Sequence, residues 1–163
     1  ILEELEQAAK ADRRQLVDEY AKLKDQLKAR EREVQALKMK LAGTEGASNS
    51  DILRLGEIQV WTPRFEGLDR KAHAAVVDEF RNRNRGGSFV VVSASVDEGG
   101  VHVISAVSDA LKDRIQAPEV MKRLGLRGGG RPDFAQGGGV APGELDAFRG
   151  RARQTVEQMV TGA

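Results

Sequence analysis

Apolar positions along this chain change their spacing three times, and each change marks a different kind of element. Residues 1–42 contain neither proline nor glycine and are dominated by Ala, Leu, Glu, Lys, Gln and Arg, all strong helix formers. Leu16, Tyr20, Leu23, Leu27, Val34, Leu37 and Leu41 alternate steps of four and three once Arg30 is admitted to the seam, the narrow stripe of a coiled coil. Leu2, Leu5 and Ala9 are out of phase with it by a stutter, which would unwind a supercoil locally. The pattern predicts one helix roughly 60 Å long at about 1.5 Å per residue. So polar a helix needs something to cover its stripe: a second copy, another part of a longer chain, or the domain that follows.

Residues 43–50, GTEGASNS, form a linker by composition, with Ser48 or Ser50 as the cap of a short turn through Asp51 and Arg54. Ile58, Val60 and Thr62 then alternate with Gln59 and Trp61, predicting a strand over 57–65 that nears an edge after Pro63. Behind Asp69 as cap, Ala72, Val76, Val77 and Phe80 repeat at helical spacing and stop before Gly86-Gly87. Residues 89–96 are a nearly continuous β-branched run, expected as a central strand. DEGG at 97–100 predicts a hairpin turn, and Val101, Val103 and Ile104 the returning strand. Strand, helix and strand together predict a right-handed parallel crossover with an antiparallel neighbour. After an irregular 108–117, Pro118 opens a helix of about two turns with Val120, Met121 and Leu124 as its apolar side. A last helix beginning at Pro142-Gly143 carries Leu145, Phe148, Ala152, Val156, Met159 and Val160. The expectation is an α+β domain over 51–163, a small mixed β-sheet with packed helices, preceded by a long coiled-coil-like helix over 1–42.

Composition narrows the chemistry. The 163 residues include no cysteine, which removes disulfides and thiolate metal sites and agrees with a cytoplasmic setting. The longest apolar run, 89–96, is broken by serine and too short to cross a bilayer, and a signal peptide is not recognisable. Ile1 opens directly in helical phase, so the sequence reads as a piece of a longer chain. A net charge of +1 announces no global field, but three clusters are basic: Arg81, Arg83 and Arg85; Lys122, Arg123, Arg127 and Arg131; Arg149, Arg151 and Arg153.

The stretch 127–139, RGGGRPDFAQGGG, holds six glycines in two triplets. Two explanations are open. The triplets are tight turns joining the last helices, or their amides form anion-binding nests. Between them Arg131 offers a planar fork of donors, Pro132 suits the first position of a helical turn, Phe134 anchors that turn in the core, and Asp133 and Gln136 are available as polar contacts. The lysine and hydroxyl of a P-loop are missing. Hydrolytic or redox catalysis is not assembled either. His73 is expected on a helix surface or half-buried, His102 on the strand face opposite Val101 and Val103, and neither has metal-ligand spacing. No catalytic residue and no metal ligand is assigned.

GGGRPDFAQGGG is similar to the C-terminal signature of bacterial alanyl-tRNA synthetases, within the wider family of domains found beside DHH phosphoesterases. The resemblance extends through IQVWTPRFEGLD, the helix ending EFRNR, SFVVVSASVDEGGVHVISAVSD and IQAPEVMKRLG, with a coiled linker upstream as in that family. Phosphoesterase relatives carry a different glycine-rich sequence containing histidine, which favours the synthetase. The resemblance implies a non-catalytic module that contacts the outer corner of tRNA, helps couple aminoacylation with editing, and in some members dimerises. Its implied RNA contacts are Gly128, Gly129, Gly130, Arg131, Asp133, Gln136, Gly137, Gly138 and Gly139, with Arg127, Arg123 and Lys122 beside them. It implies no cofactor in this segment, ATP and zinc in the parent ligase, and tRNA as partner in a membrane-free location; a homodimer through the first helix is what the apolar stripe from Leu16 to Leu41 offers. Competing readings are an assembly module, or the RNA-gripping half of a DHH phosphoesterase.

Overall fold

The computed structural model describes residues 15–45 and 51–162; Leu2, Leu5 and Ala9, and most of the expected linker with Ser48 and Ser50, lie outside them. The chain divides between Leu37 and Lys38 into two compact units. Helix α1 spans Leu16–Glu45. It passes through Gly43, because one glycine inside a helix costs only about 1 kcal/mol relative to alanine. Along α1 the side chains of Tyr20, Leu23, Leu27, Val34 and Leu37 are between 48% and 69% exposed.

The second unit is built on a seven-stranded mixed sheet. In chain order it contains β1 (Ile52–Leu55), β2 (Ile58–Trp61), β3 (Arg64–Glu66), α2 (Arg70–Arg83), β4 (Ser88–Asp97), β5 (Gly100–Val107), α3 (Ala117–Arg123), β6 (Arg127–Arg131), β7 (Phe134–Gly138) and α4 (Leu145–Thr161). The strands lie in the order β1-β2-β4-β5-β7-β6, with β3 also paired to β4. β4 is central as expected, pairing parallel with β2 and β3 and antiparallel with β5. Asp69 caps α2 by accepting the Ala72 N–H at 2.7 Å.

Three expectations are corrected. The turn expected to run from Asp51 through Arg54 goes no further than Asp51: ILRL, 52–55, is β1, folded onto β2 through Gly56-Glu57, with Leu55 opposite Ile58 and Gly56 at φ 61°. The expected single strand over 57–65 is two. Thr62 and Pro63 interrupt it, since proline has no N–H for a ladder, yet the Pro63 carbonyl still accepts the Ala94 N–H at 3.2 Å. The glycine-rich stretch is neither a pair of turns nor a helical turn. It is an antiparallel hairpin, β6 and β7, closed by Pro132-Asp133 with Arg131 opposite Phe134.

Both faces of the sheet carry a core. On one, Trp61, Phe89, Val91, Ile104 and Ala106 meet Leu68, Val76, Val77 and Phe80 from and before α2, and the Trp61 and Phe80 rings stack at 4.3 Å. On the other, Val60, Val90, Val92, Val103 and Ala135 meet Val120 and Met121 of α3 and Leu145, Phe148, Ala152 and Val156 of α4. Arg149 and Arg153, from the third basic cluster, tie α4 to the start of the sheet: Arg149 binds Asp51 at 2.9 Å and Arg153 donates to Thr62 Oγ1 at 2.9 Å.

Candidate nucleic-acid interface

The hairpin brings the predicted residues onto a surface whose geometry follows from strand periodicity. Residues two apart, and residues directly opposite, share a face. Ala135 and Gly137 therefore look toward α3, paired with Gly130 and Gly128, whose Cβ positions fall against the backbone of β7, and Arg127, Gly129, Arg131, Phe134, Gln136 and Gly138 look toward the side of α2. Helix α2 covers that face only as far as Phe134, which is half-buried against its core. Beyond Phe134 the face is bare: Arg127, Gly129, Arg131 and Gln136 are all exposed. The two arginines stand at either end of β6, about 14 Å apart over four residues at about 3.4 Å each. Between them is only the backbone of Gly129.

The glycines divide by what a side chain would meet. A Cβ on Gly128 would lie 2.6 Å from Gly137 Cα, one on Gly130 2.7 Å from Ala135 Cα, and one on Gly137 2.7 Å from Met121 Cε. Those contacts are closer than atoms can stand, so these three glycines let the strands and α3 approach. At Gly138 the Val101 carbonyl would be 3.0 Å away, and Gly139 has φ 115°. Gly129 is different: nothing lies within 4 Å of its Cβ position, and its φ is not left-handed.

The open edge adds donors. β6 ends the sheet. In a hairpin with a two-residue turn the closing pair, here Arg131 and Phe134, exchanges hydrogen bonds and the next pair does not. Gly128 and Gly130, both exposed, thus turn their N–H and C=O groups outward. The carbonyls of the turn are committed elsewhere, Pro132 O to Ala117 N–H at 2.8 Å and Asp133 O to Val107 N–H at 3.0 Å. Amides are consequently presented by a flat edge, not by nests.

At the hairpin tip the carboxylate of Asp133 binds Arg81 of α2 at 2.8 Å and Arg131 at 3.4 Å. The Arg81 guanidinium also lies 5.5 Å from the centre of the Phe134 ring, so it clamps the tip to α2. Arg131 keeps 74% of its side chain exposed. Arg127 and Gln136 make no side-chain hydrogen bond or ion pair among the described residues. Lys122 and Arg123 are separated from this surface: both are exposed on the last turn of α3, which packs on the other face, and Arg123 is paired with Glu119 at 3.0 Å.

His73 corrects the surface expectation, since it is fully buried. Its Nε2 meets Ser93 Oγ at 2.8 Å, and that hydroxyl lies 3.4 Å from the Ile104 carbonyl. If Ser93 donates onward, Nε2 carries the proton and Nδ1, which has no hydrogen-bond partner, carries none. Burial, helped by the neighbouring His102, pushes the His73 pKa down from 6.5 to about 3, so the ring is neutral. His102 faces away from Val101 and Val103 as expected, but α2 covers that face too; its Nε2 is 3.3 Å from Leu68 O and 3.4 Å from Asp97 Oδ2. Among the described residues no group of three or more His, Cys, Asp or Glu side chains is placed to hold a metal ion, and no helix is long and apolar enough to cross a membrane.

The model of the DHHA1 domain family matches residues 57–158. The chain belongs to the DHHA1 family. It is similar to the alanine–tRNA ligase of Nitrosococcus oceani, 38% identical over 99% of this chain and 19% of that protein. It is also similar to the alanine–tRNA ligase of Paraburkholderia phymatum, 35% identical over 92% of this chain and 18% of that protein. The chain thus spans about a fifth of the length of the curated relatives it matches. Among solved structures it is similar to the C-Ala domain from Aquifex aeolicus alanyl-tRNA synthetase, with a TM-score of 0.56 and 27% identity over 64% of this chain and 96% of that one. The mixed α+β architecture expected from the sequence is the architecture of that domain. The span matched to the DHHA1 domain runs from the turn before β2 into α4, so the bare half of the sheet face lies wholly within it. Arg81 is the residue of this DHHA1 domain that sequence reasoning assigned only to a basic helix end; its link to Asp133 spans 52 positions, and only RPDF placed opposite a helix terminus could have suggested it.

Proposed function

We propose that this domain is a non-catalytic tRNA-binding module of an alanine–tRNA ligase, and that the bare sheet face from Arg127 to Arg131 is its RNA-contacting surface. The observation that carries the assignment is Gly129. The fold has no use for a glycine there, whereas a partner lying flat across β6 does. Arg127 and Arg131 supply charge to phosphates, the outward amides of Gly128 and Gly130 and the Gln136 amide supply donors, and Asp133 holds Arg131 and Arg81 in place. Gly137 and Gly138 act through the backbone path of β7, and Gly139 through the left-handed turn that follows it. Lys122 and Arg123 serve an RNA only where it wraps the hairpin base. The family resemblance supports the finer reading, contact with the outer corner of tRNA and coupling of aminoacylation with editing, in a cytoplasmic parent ligase that takes ATP and zinc in its other domains.

The test is the affinity of the 163-residue chain for tRNA across a salt series. Each phosphate contact contributes about one to the slope of log affinity against log salt. Arg131→Ala and Arg127→Ala each lower that slope by about one. Binding by both variants equal to the parent at every salt concentration overturns the assignment.

A second reading concerns α1, whose Tyr20, Leu23, Leu27, Val34 and Leu37 are left exposed in a coiled-coil register. That register supports a homodimer through α1. Light scattering of the parent against Leu23→Asp with Leu27→Asp tests it: a parent that is monomeric at high concentration refutes the dimer.

A further inference from the structure

A groove of about 690 Å³ opens where the end of α2 meets the ends of β4 and β5, within the size range of about 300–1,000 Å³ typical of small-molecule sites. It shares a wall with the surface just described, because Arg81 lines the groove and binds Asp133 at the hairpin tip. Its other polar walls are Asp78, Asn82, Arg85, Ser108 and Asp109, and its apolar lining is the exposed Ala110 with the buried Phe89 and Val107 behind it.

These groups are not equally committed. Arg81 is held by Asp78 at 3.2 Å and by Asp133 at 2.8 Å. Arg85 and Asn82 make no side-chain hydrogen bond or ion pair among the described residues. Among the described residues Asp109 meets only Lys112, at 3.2 Å, and it keeps 88% of its side chain exposed. Ser108 Oγ accepts the Phe89 N–H at 3.0 Å, which leaves its proton to donate. Gly86, at φ 85°, has nothing within 4 Å of a Cβ position, so the backbone beside Arg85 is open to approach.

Two arginines and two aspartates line the groove. A site for phosphate alone would not place carboxylates in its wall, since each repels the anion. A nucleotide answers the whole set. Its phosphate suits Arg85 and the open backbone at Gly86, its ring suits Ala110 and the rim of Phe89, and an exocyclic amino group suits the carboxylate of Asp109, as carboxylates accept from the cytosine amino group elsewhere. Protein recognition of RNA sequence favours such unpaired, unstacked bases.

We infer that this groove receives one unpaired nucleotide of the bound RNA, with a base that carries an exocyclic amino group, beside the backbone contacts made by the bare sheet face. The assignment rests on the RNA-binding reading of that face, and the two can fail separately.

The experiment is a titration of the ¹⁵N-labelled 163-residue chain with CMP, UMP, AMP, IMP and inorganic phosphate, followed by amide chemical shifts. CMP against UMP, and AMP against IMP, exchange an amino group for an oxo group at nearly constant shape. Expected are shifts at Gly86, Gly87 and the Asn82 side-chain amide with CMP and AMP, and about fivefold weaker binding of UMP and IMP, as for one lost hydrogen bond. Asp109→Asn keeps the wall's shape and removes the amino preference. The inference is overturned if phosphate alone reproduces the Asn82 shift, if UMP binds as well as CMP, or if the shifts fall outside the groove. Those results with tRNA affinity still sensitive to Arg131→Ala sink the groove and spare the RNA surface; amino-selective shifts in the groove with tRNA affinity indifferent to Arg131→Ala and Arg127→Ala do the reverse.

Discussion

Substituting neighbouring glycines of β6 separates packing from recognition. At Gly128 a new Cβ would stand 2.6 Å from Gly137 Cα and 2.9 Å from the Gln136 carbonyl carbon, where non-bonded carbons prefer about 3.5–4.0 Å. The strands must part by roughly 1 Å, an overpacking that typically costs about 1–3 kcal/mol. For a unit of this size each kcal/mol moves the melting midpoint by about 3–5 °C, so Gly128→Ala lowers Tm by at least about 3 °C. At Gly129 the space is empty and the backbone ordinary. Alanine there restricts the unfolded chain and stabilises by about 0.4–1 kcal/mol, raising Tm by a few degrees. Gly129→Leu likewise keeps the fold while standing a side chain on the bare face, and it weakens tRNA binding by about tenfold, the equivalent of about 1.4 kcal/mol. Thermal unfolding by circular dichroism gives the first quantity and filter binding the second. The reasoning is refuted if Gly129→Leu melts as early as Gly128→Ala, or if it binds tRNA as tightly as the parent.

His73 makes stability depend on pH. Its folded pKa, near 3, lies below the unfolded 6.5, so the unfolded chain binds the proton first and stability falls as pH drops through that window, by up to about 1.4 kcal/mol per pH unit. Urea unfolding at pH 7 and pH 5 should show a loss of about 2 kcal/mol from this group, which His73→Leu removes from the difference. Arg81→Ala releases the Phe134 ring and the half-buried Asp133 carboxylate, costing about 1–2 kcal/mol in chemical denaturation; Arg81→Lys recovers charge but not the forked contact. Asp69→Ala deletes the cap of α2 and lowers stability by about 1 kcal/mol, while tRNA affinity in the folded protein stays unchanged.

How much of this was legible in the sequence depends on whether a residue announces its environment through its neighbours. Val76, Val77 and Phe80 do, at helical spacing behind Asp69, and so does the β-branched run of β4 with DEGG after it; α2 and the β4-β5 hairpin were accordingly readable. Glycine triplets do not. Without side chains RGGGR and QGGG show no alternation, and the two-residue turn at Pro132-Asp133 lacks the Asn-Gly type of signal that marks a hairpin. β1 was hidden for a related reason, since four residues are too few to establish a period. The burial of His73 depends on Ser93, 20 positions away, a pairing that only the parallel crossover creates. Of the candidate surface, the residues of 127–136 were visible as chemistry, but their division between two faces, and with it the distinction between Gly128 and Gly129, belongs to the pairing register.

A strand of bare backbone at the margin of a sheet would ordinarily invite a second protein strand to add itself, the first step of aggregation. β6 discourages this by poverty of side chains. An incoming strand gains its hold from cross-strand packing as much as from its ladder, and Gly128, Gly129 and Gly130 give it nothing to grip, while the arginines at both ends repel another copy of themselves. A ligand that brings its own acceptors and needs no packing partner suffers neither handicap, so the same three residues that discourage strand addition suit the RNA partner proposed for this face.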